Sequence, residues 1–187
     1  MLPLRQGASS LNGWAPRRPT QYTLRSWFVT SLSFPDHNHH TRSHHVNHDH
    51  PRALTPQEAF DMLAAQPQAL LVDIRSSMEF LFVGHPKGAV HVAWIDEPDW
   101  VVNPHFVTEI RKLLLGGAVC ESDGPCAPVI LICRSGKRSL EAGKALIEDG
   151  LQAVYHVDEG FEGDLDDQHH RSSLGGWRFR GLPWEQC

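Results

Sequence analysis

The chain has 187 residues, 41% of them hydrophobic, a formal charge of −5 and four cysteines. That length supplies one good core and is short for two. The acidic balance argues against nucleic acid, whose phosphates call for Lys and Arg, and no run approaches the roughly eighteen apolar residues that span a bilayer.

Charge divides the chain near Arg52. Up to that residue six arginines face two aspartates, whereas the remainder carries eleven basic and twenty acidic residues. The first part is rich in Pro, Ser, Asn and Arg without periodicity, so residues 1–52 are expected to form a disordered extension. Its longest apolar stretch, Trp27 to Phe34, is interrupted by Thr30, Ser31 and Ser33, which argues against a secretory signal. The first 35 residues contain no Asp, Glu or Lys, a composition shared with organellar transit peptides. Cys120, Cys126, Cys133 and Cys187 are too irregularly spaced for a disulfide framework. A cytoplasmic location is therefore expected, with an organellar one as the alternative.

Residues 37–50 contain seven His in fourteen positions. Clustered imidazoles attract zinc, copper or nickel, but no repeated spacing imposes a coordination geometry, and no metal site is assigned to them.

A single folded domain is expected over residues 53–187. Thr55-Pro56-Gln57-Glu58 supplies a capping hydroxyl, a first-turn proline and a Glu for a capping box, and Phe60, Met62, Leu63 and Ala64 give the helix an apolar side. Ala69 to Arg75 reads as a buried strand with Asp73 and Arg75 at its C-terminal end. Gly84-His85-Pro86-Lys87-Gly88 is a turn and Ala89 to Ala93 a second strand. Asn103-Pro104 opens a helix on which Phe106, Val107, Ile110, Leu113 and Leu114 recur at helical spacing, stopped by Gly116-Gly117. After a loop from Ala118 to Pro128, Val129 to Ile132 is the strongest strand, followed by a helix from Ser139 to Asp149 and a strand from Ala153 to Val157. This alternation predicts an α/β fold with a mainly parallel central sheet flanked by helices on both faces, and ligands beyond the strands' carboxyl ends.

Cys133-Arg134-Ser135-Gly136-Lys137-Arg138-Ser139 joins the strongest strand to a helix, so its N–H groups can surround whatever is bound at the cysteine sulfur. A helix N-terminus and three cations favour a thiolate. The helix dipole contributes only about 0.3–1 kcal/mol, so the side chains or the loop amides must add to it. A merely structural cysteine gives no reason for the cationic run that follows.

From Leu54 onward the chain resembles a single rhodanese domain. The resemblance rests on Leu71-Val72-Asp73-Ile74-Arg75 with Glu79, on Gly84 to His91, and on the Cys133 loop, in that order. A closing segment, Glu159 to Asp164 through Gly176-Trp177 to Gly181-Leu182-Pro183-Trp184, is similar to the ending of some bacterial single-domain rhodaneses. The resemblance implies a cofactor-free sulfurtransferase in which Cys133 takes sulfur from thiosulfate or a persulfide donor and passes it to cyanide, a small thiol or a protein thiol. Arg134, Ser135, Gly136, Lys137, Arg138 and Ser139 would form the anion loop, the three cations holding the substrate's oxygens. A sulfur-binding or regulatory module without turnover is one alternative. A Cys-dependent phosphatase is another, although tyrosine phosphatases place five residues between Cys and Arg and only four separate Cys133 from Arg138.

Asp73, Arg75, Glu79 and His85 are expected to pair with one another structurally. Cys120 and Cys126 are read as ordinary loop cysteines, with a resolving-thiol role as the alternative. Trp94, Asp96, Glu97, Asp99 and Trp100 are expected at the site's rim, and Trp177 and Trp184 as anchors of the C-terminal segment.

Overall fold

The computed structural model describes residues 49–117 and 127–186, within the unit His44–Cys187. The extension before Asp49, with most of the His-rich tract, and Cys120, Cys126 and Cys187 lie outside the described residues.

Local signals place the first elements. Helix α1 (Pro56–Ala65) opens with the predicted capping box: the Glu58 amide donates to Thr55 Oγ at 3.3 Å and the Thr55 amide to Glu58 Oε2 at 2.8 Å. The apolar runs become β2 (Leu70–Asp73), β4 (Val90–His91), β5 (Val129–Ile132) and β6 (Val154–Val157). Helix α2 (Phe106–Gly117) starts after Asn103, whose side-chain oxygen accepts from the His105 amide at 2.9 Å. Helix α3 spans Lys137–Glu148, beginning two residues earlier than Ser139 because Gly136 already makes the turn.

Three elements depend on distant partners. Strand β1 (Arg52–Leu54) is too short to read alone and exists by pairing in parallel with β6, so Arg52 belongs to the sheet rather than to the extension. His85 and Pro86, expected in a turn, form β3 and pair antiparallel with β7 (Trp184–Glu185). Glu79–Val83 winds as a single π-helical turn.

The main sheet runs β1-β6-β5-β2-β4 with every pair parallel. From β2 the chain moves outward to β4, and from β5 it moves the other way through α3 to β6. The connections leaving β2 and β5 therefore diverge and open a crevice at their carboxyl ends, where ligands bind in such sheets.

Both sheet faces are covered, as the alternation along β5 requires. Val129, Leu131 and Cys133 face a core built with Phe106, Ile110 and Leu114 of α2 and Ala142 and Leu146 of α3. Ile130 and Ile132 face Ala59 of α1 with Phe161, Trp177 and Leu182 of the C-terminal segment. Trp177 fulfils its expected role as an anchor: it is 1% exposed and its indole N–H donates to Pro183 O at 2.9 Å. Trp94 does not stand at a rim; it is buried edge-on to Phe106 with ring centroids 5.0 Å apart. Among the described residues no helix is long and apolar enough to cross a membrane.

Trp177→Ala should destabilise the fold by about 3–5 kcal/mol, as truncation of a fully buried aromatic does, read as a lowered urea midpoint with an unchanged slope.

Candidate active site

Cys133 follows the last residue of the central strand β5, and its side chain, 1% exposed, lies on the α2–α3 side of the sheet. The Ser139 amide donates to Cys133 Sγ at 3.4 Å, and Ser139 Oγ lies 3.5 Å from the same sulfur.

The loop is shaped from behind by the segment after β6. Gly136 has φ +82°, and a Cβ there would fall 1.8 Å from Asp158 O. Gly160 has φ +65°, and its Cβ would fall 2.6 Å from the Cys133 and Arg134 carbonyls. Only glycine satisfies both the left-handed backbone and the close approach. That approach lets the Phe161 amide donate to Cys133 O at 2.8 Å and the Glu162 amide to Arg134 O at 3.0 Å. With these carbonyls engaged, the N–H groups of residues 134–138 are left at the α3 N-terminus without a protein acceptor among the described residues. Open amides at a helix N-terminus form an anion cradle.

The three loop cations are not equivalent. Arg138 makes a two-pronged bond to Glu79, at 2.9 and 2.8 Å, and Arg134 Nε lies 3.7 Å from the same carboxylate. Glu79 also accepts from the Ser76 amide at 3.1 Å. Burial by itself would raise the Glu79 carboxyl, but bonding and attraction to Arg138, the Ser76 amide and the charge of Arg134 outweigh it and hold the group below its ordinary value. Arg138 is raised in turn, its own desolvation being outweighed by Glu79. Two of the five N–H groups of Arg138 are thus engaged in holding the loop to Glu79. Lys137 is exposed and forms no ion pair among the described residues.

The expected polar set divides. Asp73 and Arg75, both fully buried, pair through Nη2 to Oδ2 at 2.6 Å, and Arg75 also donates to Gly84 O at 2.6 Å. His85 stacks on Phe80 with centroids 3.7 Å apart, and its Nδ1 lies 3.1 Å from Phe80 O. Glu79 joins neither of these groups and crosses to the Cys133 loop instead, because its π-helical turn follows β2 on the same side of the crevice.

At the expected rim Asp96 accepts from the Ser77 amide and hydroxyl at 2.9 and 2.5 Å. Desolvation would raise its carboxyl, but bonds from Glu97 and Ser77 outweigh this and lower it to about 2. Asp96, Glu97, Asp99 and Glu109 line a cavity of about 380 Å³ with Ser77 and His91. It lies past β4 and is not lined by the Cys133 loop. Among the described residues no group of three or more His, Cys, Asp or Glu is placed to hold a metal ion.

Several residues around the loop escape sequence reasoning. Ser76, Asp158 and Gly160 act through backbone contacts, and His156 lies within a strand whose pattern reads only as core. The Glu159-Gly160-Phe161 turn after β6 was the available signal.

A thiol at the end of the central strand of a parallel sheet, below open amides at a helix N-terminus, defines an α/β domain of the cysteine-loop class. The chain belongs to the rhodanese-like domain family, which matches residues 55–166, and with it to the rhodanese-type sulfurtransferases. It is 32% identical to the thiosulfate sulfurtransferase GlpE of Haemophilus influenzae over 112 residues, 60% of this chain and 86% of that protein. It is 29% identical to the uncharacterized protein RC0915 of Rickettsia conorii over 130 residues, 68% of this chain and 92% of the other. The crystal structure of Rv0390 from M. tuberculosis superposes with a TM-score of 0.60 at 39% identity, covering 72% of this chain and 97% of that one.

Glu79→Gln should cost about 1–3 kcal/mol at neutral pH, as loss of charge-assisted bonds does. Because the folded carboxyl is depressed, the pair stabilises fully above the ordinary carboxylate value of 4.5 and is lost as pH falls through the lower folded value. Urea midpoints taken downward from neutral pH should therefore fall more steeply below that point in the wild type than in Glu79→Gln.

Proposed function

We propose that the domain carries sulfane sulfur as a persulfide on Cys133, taking it from thiosulfate or a persulfide donor and delivering it to a thiol or cyanide. The observation that carries this reading is the cysteine sulfur set below unpartnered amides at the α3 N-terminus. The Cys133 thiolate attacks the outer sulfur of thiosulfate, the S–S bond of the donor breaks, and sulfite leaves with the electron pair. The amides of residues 134–138 then face the negative charge of the persulfide. An acceptor thiolate attacks the outer sulfur in the second half, and the electron pair of the Cys133 S–S bond returns to Cys133. Neither half calls for a metal or an organic cofactor. The similarity to a protein named thiosulfate sulfurtransferase supports this choice of donor.

Arg138, held by Glu79, keeps the loop in shape, and the exposed Lys137 and Arg134 are the loop cations most open to an incoming dianion. The six-residue span from Cys133 to Arg138 favours sulfur over a tetrahedral phosphate, so phosphatase action is the reading to be tested against.

Protein incubated with thiosulfate should gain one sulfur by intact mass and release an equivalent of sulfite, whereas Cys133→Ala and Cys133→Ser should do neither. Loading that persists in both variants, or rapid aryl phosphate turnover by an unloaded wild type, would overturn the proposal. Lys137→Met should raise KM for thiosulfate roughly 2- to 5-fold, about the worth of one partly screened charge contact, with kcat changed less than about twofold.

A further inference from the structure

The Cys133 sulfur is buried, and when it leaves as a thiolate in the second half of the cycle its new charge must be met by protein donors. The Ser139 amide supplies one at 3.4 Å. The Ser139 hydroxyl is a second, 3.5 Å away, but its single proton has competing acceptors. It donates to Gly136 O at 3.0 Å, and His156 Nδ1 lies 3.5 Å from the Ser139 hydroxyl oxygen.

His156 therefore decides where that proton goes. It sits on β6 beside Leu131 of β5 and is 6% exposed. Burial lowers the imidazole against the opposing pull of Asp158 and the Gly136 carbonyl, so the ring is neutral at physiological pH. A neutral imidazole carries one N–H and one bare nitrogen. With the proton on Nδ1, the imidazole cannot accept from Ser139 and donates to its oxygen instead, which leaves the hydroxyl proton to turn to the sulfur as charge develops there. With the proton on Nε2, Nδ1 would draw the hydroxyl away from the sulfur.

We propose that His156 is a positioning residue for sulfur transfer: it holds the Ser139 oxygen so that the Ser139 hydroxyl donates to Cys133 as the Cys133 S–S bond breaks. This rests on the sulfurtransferase reading. In the step it serves, the acceptor thiolate bonds the outer sulfur, the pair from the broken S–S bond goes to Cys133 Sγ, and the acceptor leaves as a persulfide. His156 itself touches neither donor nor acceptor.

The test compares wild type with His156→Leu, His156→Asn, Ser139→Ala and the His156→Leu/Ser139→Ala double variant. Each is loaded with thiosulfate and discharged in a single turnover by a small thiol. Loss of one hydrogen bond to a charged group predicts roughly 10-fold slower discharge in His156→Leu and in Ser139→Ala, with KM for thiosulfate within about twofold of wild type. His156→Asn, whose amide can replace the Nδ1 proton, should recover most of the rate, and the double variant should be no slower than Ser139→Ala. Iodoacetamide alkylation of Cys133, followed on its peptide, should slow in the same order. Wild-type discharge and alkylation rates in His156→Leu, multiplying effects in the double variant, or no recovery in a folded His156→Asn would each overturn the proposal. A wild type that takes up no sulfur would remove the sulfurtransferase reading, and the alkylation rates would still decide the role of His156.

Discussion

The Arg75 guanidinium has no access to solvent, and a buried charge without partners is among the costliest features a fold can carry. Its surroundings are therefore constrained. Asp73 supplies the counter-charge from the end of β2, the Gly84 carbonyl closes a second direction, the Phe161 ring lies 4.2 Å away, and Glu162 approaches at 3.6 Å. These contacts tie the end of β2 and the turn before β3 to the segment after β6. That last segment is the one whose amides hold the Cys133 and Arg134 carbonyls. The shape of the loop is thus linked, through Phe161 and Glu162, to an ion pair on a neighbouring strand.

A second constraint acts from the front. Glu79, carried by the π-helical turn that follows β2, holds Arg138 and attracts Arg134. The loop is gripped by carbonyl bonds on one side and by a forked ion pair on the other, while its amides stay open. For the proposed sulfur transfer, a loop fixed in this way would need little reorganisation as charge develops at the sulfur.

Much of the site was legible because it is local. The Cys133 to Ser139 run at a strand-to-helix junction specifies an anion loop, and Thr55 with Glu58 specifies the start of α1. The roles of the cations were not legible. Arg134, Lys137 and Arg138 look alike in sequence, and only the approach of Glu79 across 59 positions separates a locking arginine from a free lysine. Trp94, placed near the rim by its neighbours, turned out to fill the core against Phe106, with its amide donating to Ile74 O at 3.0 Å. His156 was hidden for the opposite reason, a polar residue inside an apolar strand that gains meaning only from the loop beside it.

The sequence alone determined the α/β class, the parallel sheet, the capping of α1 and the strand-to-helix position of the Cys133 loop, since each depends on periodicity or spacing within a few residues. The tertiary structure decided the short pairings β1–β6 and β3–β7, the partner of Glu79, the clamp of Asp158 to Glu162 behind the loop, and the neighbourhood of His156. Those contacts join residues far apart in the chain, and their energy comes from burial and hydrogen bonding that exist only once the sheet has brought them together.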